Sequence, residues 1–268
     1  MESVSGVSFG GRARRALRWA LPVGLIALVL TLPDAGQAAR HTPNDVDPDT
    51  ADCNKTRCVA LTFDDGPGPY TSKLLWILRS YHAKATFFEI GERVAAHPEW
   101  SRNVVKAGME VGIHTWNHPY MTWQSLPAAR EQLVKAVDAL EKATGVRTNI
   151  YRPPAGLSTP DILKIEGELG LSEVLWNVVA YDWEHSDQPE VTLEAVHKYA
   201  QPGAVFLLHD VHEGTIKAMA EAVPWLKKQG YAIVTVDRLI RAKTGAGPKP
   251  GARYWDRSAN QLDPAQPQ

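Results

Sequence analysis

The 268-residue chain has little cysteine, little net charge and no long apolar stretch. Its two cysteines cannot form a metal site by themselves. A formal net charge of −1 lacks the basic excess that is typical of nucleic-acid-binding proteins, so we expect no nucleic-acid partner. The apolar run of residues 20–32 is shorter than the roughly 20 residues that a spanning helix needs. With 44% apolar residues and no internal repeat, the chain has the composition of an ordinary globular protein.

The first 39 residues have the pattern of a secretory signal peptide. A basic stretch precedes the apolar residues 20–32, and small residues follow at Gly36 and Ala38. The basic stretch contains Arg12, Arg14, Arg15 and Arg18. We therefore expect an exported protein, periplasmic or extracellular. An uncleaved segment acting as a membrane anchor is the alternative.

If the protein is exported, its two cysteines can form a stable disulfide, because disulfides persist in oxidising compartments. Cys53 and Cys58 are separated by four residues, just before the first apolar run. We predict a small disulfide loop within a polar linker of residues 40–57, with free thiols as the alternative.

From residue 58 to 241, strand-like apolar runs alternate with helical patterns. The predicted strands are 59–63, 85–90, 110–113, 148–151, 174–179, 204–208 and 232–235. The predicted helices are 72–81, 100–107, 127–144, 160–169, 193–200 and 215–229, and the glycines at helix ends are Gly108, Gly145, Gly170 and Gly230. This alternation predicts an α/β fold with about seven parallel strands, closed into an incomplete (β/α) barrel. Residues 242–268 are rich in polar residues and glycine, and we predict a flexible tail.

Unusual polar residues follow five of the predicted strands. They are Asp64 and Asp65, His114 and His118, Arg152, Asp182, and His209. In an α/β barrel, the carboxyl ends of the strands form the face that carries active sites. Adjacent side chains on a strand point to opposite sides, so the two aspartates are placed for different roles. The alternative is that Asp-Asp-Gly-Pro is only a polar turn.

Three groupings of these residues suggest chemistry on that face. His114 and His118 are spaced i, i+4, so one helical turn would present both imidazoles together. With Asp65 they would form a His₂Asp site that leaves positions open for water, as in catalytic metal centres; surface histidines at chance spacing are the alternative. His209 can act as a general acid if Asp182 orients it, or it is an ordinary hydrogen-bonded core histidine. Arg152 can pair with Asp64 and keep it ionised.

Together these segments resemble the polysaccharide deacetylases, which are carbohydrate esterase family 4 with the NodB-homology domain. The matching segments, in chain order, are Thr-Phe-Asp-Asp-Gly-Pro at 62–67, His-Thr-Trp-Asn-His at 114–118, Arg-Pro-Pro-Ala-Gly at 152–156, Asp-Trp at 182–183 and Leu-Leu-His-Asp at 207–210. The resemblance covers residues 58–241 and implies a distorted (β/α) barrel. It also implies metal-dependent removal of acetyl groups from N-acetylglucosamine-containing polysaccharide, either peptidoglycan or chitin-like oligomers.

By this resemblance each motif residue acquires a role. A divalent ion, Zn²⁺ in most members and Co²⁺ or Ni²⁺ as other choices, would be held by Asp65, His114 and His118. Asp64 would be the base and Arg152 its tether, while His209, supported by Asp182, would protonate the leaving amine. The substrate-binding residues would be Pro153, Ala155, Trp183 and Leu207, with the backbone N–H of Ala155 facing the oxyanion.

The chain departs from the family pattern at two positions. Ala155 stands where the family often has an aromatic residue, which predicts a wider groove. Val179 stands where another aspartate is common. Glu89 and His212 are further candidates for substrate contacts. We expect a monomer that binds acetylated polysaccharide; the alternatives are an O-acetyl esterase on xylan-like polymer and a non-catalytic glycan-binding member of the fold.

Overall fold

The computed structural model describes residues 46–256. The predicted signal peptide, residues 1–39, lies outside the described residues, as do residues 40–45 and 257–268. Among the described helices, none is both long and apolar enough to cross a membrane. The structure joins Cys53 and Cys58 in a disulfide, as predicted from the sequence.

Within residues 46–256, nine strands form one sheet with parallel pairing. They are β1 (Cys58–Asp64), β2 (Thr86–Glu89), β3 (Glu110–Ile113), β4 (Ile150–Tyr151), β5 (Ser172–Val174), β6 (Val178–Val179), β7 (Val205–His209), β8 (Ala232–Val234) and β9 (Arg253–Tyr254). Their order is β6-β7-β1-β2-β3-β4-β5-β9, and β8 pairs with the start of β1. The prediction of an α/β fold with an incomplete (β/α) barrel is confirmed.

The described residues also contain eight α-helices. They are α1 (Thr71–Ser80), α2 (Gly91–Ala96), α3 (Pro98–Lys106), α4 (Leu126–Thr144), α5 (Pro160–Glu168), α6 (Pro189–Tyr199), α7 (Glu213–Lys228) and α8 (Val236–Thr244). Ser125, Thr159 and Thr235 cap α4, α5 and α8 by accepting a hydrogen bond from a backbone N–H in the first turn. Gly145 and Gly245 end α4 and α8 in the left-handed conformation that glycine adopts without strain.

β1 organises the barrel, because all seven of its residues are buried. Alternate residues of β1 pack in two different hydrophobic clusters. Val59, Leu61 and Phe63 pack in the larger cluster, which also contains side chains of the helices. Ala60 packs in a second cluster on the inner side of the sheet. Because side chains on a strand alternate, Asp64 points to the same inner side as Ala60.

The predicted strand 174–179 is wrong, because the structure divides it into β5 and β6. β5 pairs with β4, whereas β6 pairs with β7 near the other end of the sheet. The intervening Asn177 bonds to β7 through its side chain, accepting from the N–H of Val205 at 2.7 Å and donating to the carbonyl of Gly203 at 3.1 Å. Residues 172–179 therefore join two distant parts of the sheet, and we call residues 175–177 the seam.

The prediction of a flexible tail from residue 242 is wrong for residues 242–256. Helix α8 continues to Thr244, and β9 pairs with β5 as an edge strand. Arg253 of β9 also forms an ion pair with the buried Glu173, with 2.5 Å between Nε and Oε1. A two-residue strand has too few residues to show a periodic pattern, which is why the sequence did not reveal it.

Candidate active site

Asp64 and Asp65 lie at the carboxyl end of β1 in different surroundings. Asp64 is the last residue of the strand, and its side chain is 3% exposed. Asp65 leaves the strand with a φ of +68°, and its side chain is 25% exposed. Asp64 Oδ1 lies 2.8 Å from Arg152 Nη1, whereas Asp65 Oδ1 lies 3.4 Å from Nε2 of His118. Asp64 is thus paired with Arg152 and Asp65 lies beside His118, while Nε2 of His114 is within 4 Å of both carboxylates.

Arg152 is completely buried at the end of β4, and each of its guanidinium nitrogens donates a hydrogen bond. Besides Asp64, its partners are Thr62 Oγ1 and the carbonyl oxygens of Val174 and Leu175. The ring of Phe88 lies 4.2 Å from the guanidinium carbon. A buried charge is tolerated when it is paired and fully hydrogen-bonded, as it is here. One side chain therefore holds the carboxylate of Asp64 and the beginning of the seam.

The turn that carries His114 and His118 is not helical, so the predicted helical turn is wrong. Thr115 and His118 have φ values of +67° and +62°, which are left-handed. The Thr115 hydroxyl accepts a hydrogen bond from the N–H of His118, and Gln132 of α4 accepts from the N–H groups of Trp116 and Asn117. These side-chain hydrogen bonds replace the backbone hydrogen bonds of a helix. The ring centroids of His114 and His118 are nevertheless only 4.9 Å apart.

Asp65, His114 and His118 form a group that could hold a metal ion. Each offers one ligand atom, and the three atoms lie within 4.8 Å of one another. The Nδ1 of His114 lies 2.6 Å from the carbonyl oxygen of Arg152, which leaves its Nε2 facing the aspartates. Burial lowers the pKa of His114, which favours the neutral imidazole that binds metals.

Two observations of the group fit a cation. Asp65 Oδ1 is buried and finds no hydrogen-bond donor among the described residues. Nitrogen and oxygen ligands in a set of two histidines and one carboxylate are typical of catalytic zinc sites. A divalent ion at this position would satisfy the unpaired carboxylate oxygen.

His209 and Asp182 form a buried pair at the carboxyl end of β7. The Nδ1 of His209 lies 2.9 Å from Asp182 Oδ1, and Asp182 Oδ2 accepts from the His209 N–H and from the Thr215 hydroxyl. Burial alone would lower the pKa of His209. The charge and hydrogen bond of Asp182, with the charges of Asp65 and Asp64, outweigh burial and raise this pKa to about 9. The imidazole is therefore protonated near neutral pH.

The raised pKa of His209 can be measured without a substrate. In an NMR titration of the metal-free protein, we expect the imidazolium to persist up to about pH 9. Asp182→Asn removes the largest of the charges that oppose burial, so the pKa of His209 is expected to fall. Because the folded pKa is the higher one, the pair stabilises the fold fully below about pH 6.5 and loses this effect as the pH rises through about 9. An unchanged midpoint in Asp182→Asn would contradict this account.

The predicted substrate-binding residues differ in accessibility. Ala155 is exposed in a tight turn with a φ of +54°, and Trp183 is half-buried with its ring 5.3 Å from that of His209. Pro153 is buried and Leu207 is only 5% exposed. Direct contact with substrate by all four residues stays a prediction.

Three further residues lie near the site. Asp210 is buried behind the loop after Asp65, where it accepts from the Thr71 hydroxyl, and burial raises its pKa to about 7. Glu89 is 1% exposed, so the suggestion that it contacts substrate is not supported. Arg93 Nη1 donates to the carbonyl oxygen of Asp65 at 2.9 Å. Sequence reasoning missed Arg93 because helix α2 is too short to show helical periodicity.

Comparison with known proteins assigns the family. A model described as polysaccharide deacetylase matches residues 51–174. A peptidoglycan-N-acetylglucosamine deacetylase of Bacillus cereus is 38% identical over 196 residues, covering 71% of this chain and 91% of that protein. This chain belongs to the polysaccharide deacetylase family. The resemblance inferred from the motifs is thereby confirmed.

Other polysaccharide deacetylases match over different shares of their length. The peptidoglycan-N-acetylmuramic acid deacetylase PdaC of Bacillus subtilis is 35% identical over 196 residues, which are 73% of this chain but 41% of that protein. The solved structure of T48 deacetylase with substrate has a TM-score of 0.71 and 37% identity, covering 76% of this chain and all of that one. This chain thus spans less than half of PdaC.

Two matches carry different descriptions. A bifunctional xylanase/deacetylase of Pseudobutyrivibrio xylanivorans is 32% identical, covering 74% of this chain and 33% of that protein. A family 4 pseudoenzyme from Bacillus anthracis has a TM-score of 0.66 and 28% identity, covering 75% of this chain and 70% of that one. Membership of the family is therefore compatible with more than one function.

Proposed function

We propose that this protein is an exported, metal-dependent deacetylase of N-acetylglucosamine-containing polysaccharide, with peptidoglycan as the first choice of substrate. The observation that carries the proposal is the placement of two acid–base groups beside one candidate metal group. Asp64, tethered by Arg152, lies within 3.8 Å of His114, and the charged His209 is close enough to Asp65 and Asp64 for their charges to raise its pKa.

Asp65, His114 and His118 would hold the ion, for which zinc is the first choice and Co²⁺ or Ni²⁺ the next. When bound, a divalent ion supplies Lewis acidity toward water and toward the acetyl carbonyl. The chain contributes the ligand geometry: the carbonyl of Arg152 fixes the ring of His114, and the Thr115 hydroxyl fixes the turn before His118.

Asp64 would take a proton from the attacking water. Its Oδ1 is held by Arg152, and its Oδ2 is directed toward the candidate metal group, 3.8 Å from Nε2 of His114. The guanidinium is the charge partner of this carboxylate, and a carboxylate is a group that can act as a general base. Fixing the carboxylate before the substrate binds removes the cost of orienting it during the reaction.

His209 would give a proton to the departing amine, since an amide nitrogen leaves poorly as an anion. Its pKa of about 9 keeps it charged at neutral pH, and Asp182 holds Nδ1 so that Nε2 faces the site. The backbone N–H of Ala155, an exposed residue, would donate to the oxyanion that forms on the acetyl carbonyl. Trp183, against the ring of His209, would line the same subsite.

An acetate-release assay tests the proposal. The protein loaded with Zn²⁺ is expected to release acetate from peptidoglycan or from chitin oligomers. A chelator is expected to lower the rate at least 100-fold, and added Zn²⁺ or Co²⁺ to restore it. His118→Ala is expected to weaken metal binding. His197→Ala, which removes an exposed histidine whose ring contacts that of Trp225, serves as the matched control.

The same panel separates the alternatives. Acetylated xylan is included, because an O-acetyl esterase would use the same residues and prefer that polymer. A pseudoenzyme would bind glycan without releasing acetate, but this chain retains Asp64, Asp65, His114, His118 and His209. Metal-loaded protein that releases no acetate from any polymer of the panel would overturn the proposal.

A further inference from the structure

Two exposed aromatic rings lie on the connection between β3 and α4, just after the turn that holds His118. The side chain of Trp123 is 78% exposed and that of Tyr120 is 38% exposed. Their ring centroids are 4.6 Å apart, with 48° between the planes. We call these two rings the aromatic pair. Exposing so much apolar surface does not contribute to folding, because the hydrophobic effect favours burial.

The aromatic pair lies beside the candidate metal group. Only Pro119 separates Tyr120 from His118, so two residues of chain span at most about 7 Å. The His118 side chain is itself 43% exposed. Tyr120 therefore lies within reach of a ligand at His118, and its contact with Trp123 extends this aromatic surface to the second ring.

The aromatic pair is held in place before any ligand arrives. Met121, between the two rings in sequence, is completely buried in the core. The N–H of Trp123 donates to the carbonyl of Tyr120 at 3.1 Å, and Ser125 caps α4 two residues later. Because the backbone is fixed at both ends, little conformational entropy is lost when a ligand packs on the rings.

Exposure alone does not mark a binding site, and Trp76 shows why. The Trp76 side chain is 70% exposed, nearly as much as Trp123. Trp76 lines a surface cavity together with Asn103 and Lys106. These two residues lie near the end of α3, which precedes the start of β3. That cavity is at the opposite end of the strand from His114. Position beside the candidate metal group is what distinguishes the aromatic pair.

We propose that Tyr120 and Trp123 bind a sugar ring of the glycan chain next to the unit that is deacetylated. The inference rests on the proposed function and extends it, because it makes the enzyme selective for oligomeric over single-sugar substrates. A pyranose ring presents a face of C–H bonds that packs on an indole, and Tyr and Trp offer rigid contact area at low entropic cost. Two rings form too small an area for a stable protein partner, which buries about 1,200–2,000 Å² in total.

The test compares Trp123→Ala with wild type on N-acetylglucosamine oligomers of one to six units. For the longest oligomers, Trp123→Ala is expected to lower kcat/KM about tenfold through KM, with kcat unchanged. For the shortest substrate that wild type accepts, the two proteins are expected to be equal. Trp123→Phe keeps a ring and is expected to retain most of the effect, and Trp76→Ala is the matched control with no effect.

The outcomes separate this inference from the proposed function. If wild type releases acetate but Trp123→Ala matches Trp76→Ala on the longest oligomer, the aromatic pair is not a sugar site. An equal loss on short and long substrates would likewise overturn it. If wild type releases no acetate, the proposed function fails, and calorimetry then tests the sugar site by itself. Weaker binding of the six-unit oligomer by Trp123→Ala than by Trp76→Ala would still support the sugar site. Equal binding by the two variants would overturn it.

Discussion

Replacing Asp64 by asparagine is expected to lower kcat for acetate release by about 10²- to 10⁴-fold, the range of a general base. The metal affinity is expected to stay close to that of wild type, because Asp65, His114 and His118 are untouched. Asparagine keeps an oxygen that can accept the hydrogen bond of Arg152, but its amide cannot take a proton from water. Calorimetric titration with Zn²⁺ and the acetate-release assay measure the two quantities on the same preparation.

Asp65→Ala is the contrasting variant, because it removes a carboxylate that faces His114 and His118. It is expected to lose both metal affinity and turnover. Wild-type metal affinity in Asp65→Ala, or undiminished turnover in Asp64→Asn, would contradict the proposed division of roles. Circular dichroism of both variants shows whether the fold is retained.

Replacing Arg152 by methionine is expected to lower the free energy of unfolding by about 3–5 kcal/mol, as when one partner of a buried ion pair is removed. Methionine has a similar length, so the change leaves little empty space and acts mainly through lost polar contacts. Asp64 would be left buried without its charge partner, and the carbonyls of Val174 and Leu175 without a donor. Denaturant unfolding followed by circular dichroism measures the loss.

Arg130→Met is the matched control for Arg152→Met. Arg130 forms an ion pair with Glu168 in which both side chains are more than 40% exposed. Exposed pairs contribute about 0–1 kcal/mol, so this variant is expected to unfold near the wild-type midpoint. Equal midpoints for the two variants would show that Arg152 does not stabilise the barrel.

The positions of the site residues could be predicted because they depend on local rules. Asp64 and Asp65 follow an apolar run that ends at Gly66, and parallel strands bring their carboxyl ends to one edge. The placement of His209 opposite Asp64 follows from the same rule, since the two residues are partners in the β1–β7 register. Pattern and topology together thus located the site.

Features that depend on contacts distant in sequence could not be predicted. The break at residues 175–177 depends on Arg152, which donates to the carbonyl of Leu175, and on the Asn177 side chain, which bonds to the backbone of Gly203 and Val205. One apolar run in the sequence gives no sign of these contacts. The His114–His118 turn is held by Gln132, fourteen residues after His118. Periodicity describes which face of an element is buried, but not which side chain replaces a backbone hydrogen bond.

The role of Arg152 at the seam has a consequence for how this chain can vary. The guanidinium that orients Asp64 also holds the carbonyls of residues 174 and 175, where the chain passes from β5, beside β4, to β6, beside β7. A substitution that displaces residues 174 and 175 would therefore also disturb the position of the Asp64 carboxylate, because both are bonded to Arg152. Selection for turnover therefore also preserves the closure of the barrel. In descendants that no longer need catalysis, the position of Asp64 and the closure of the barrel could change together.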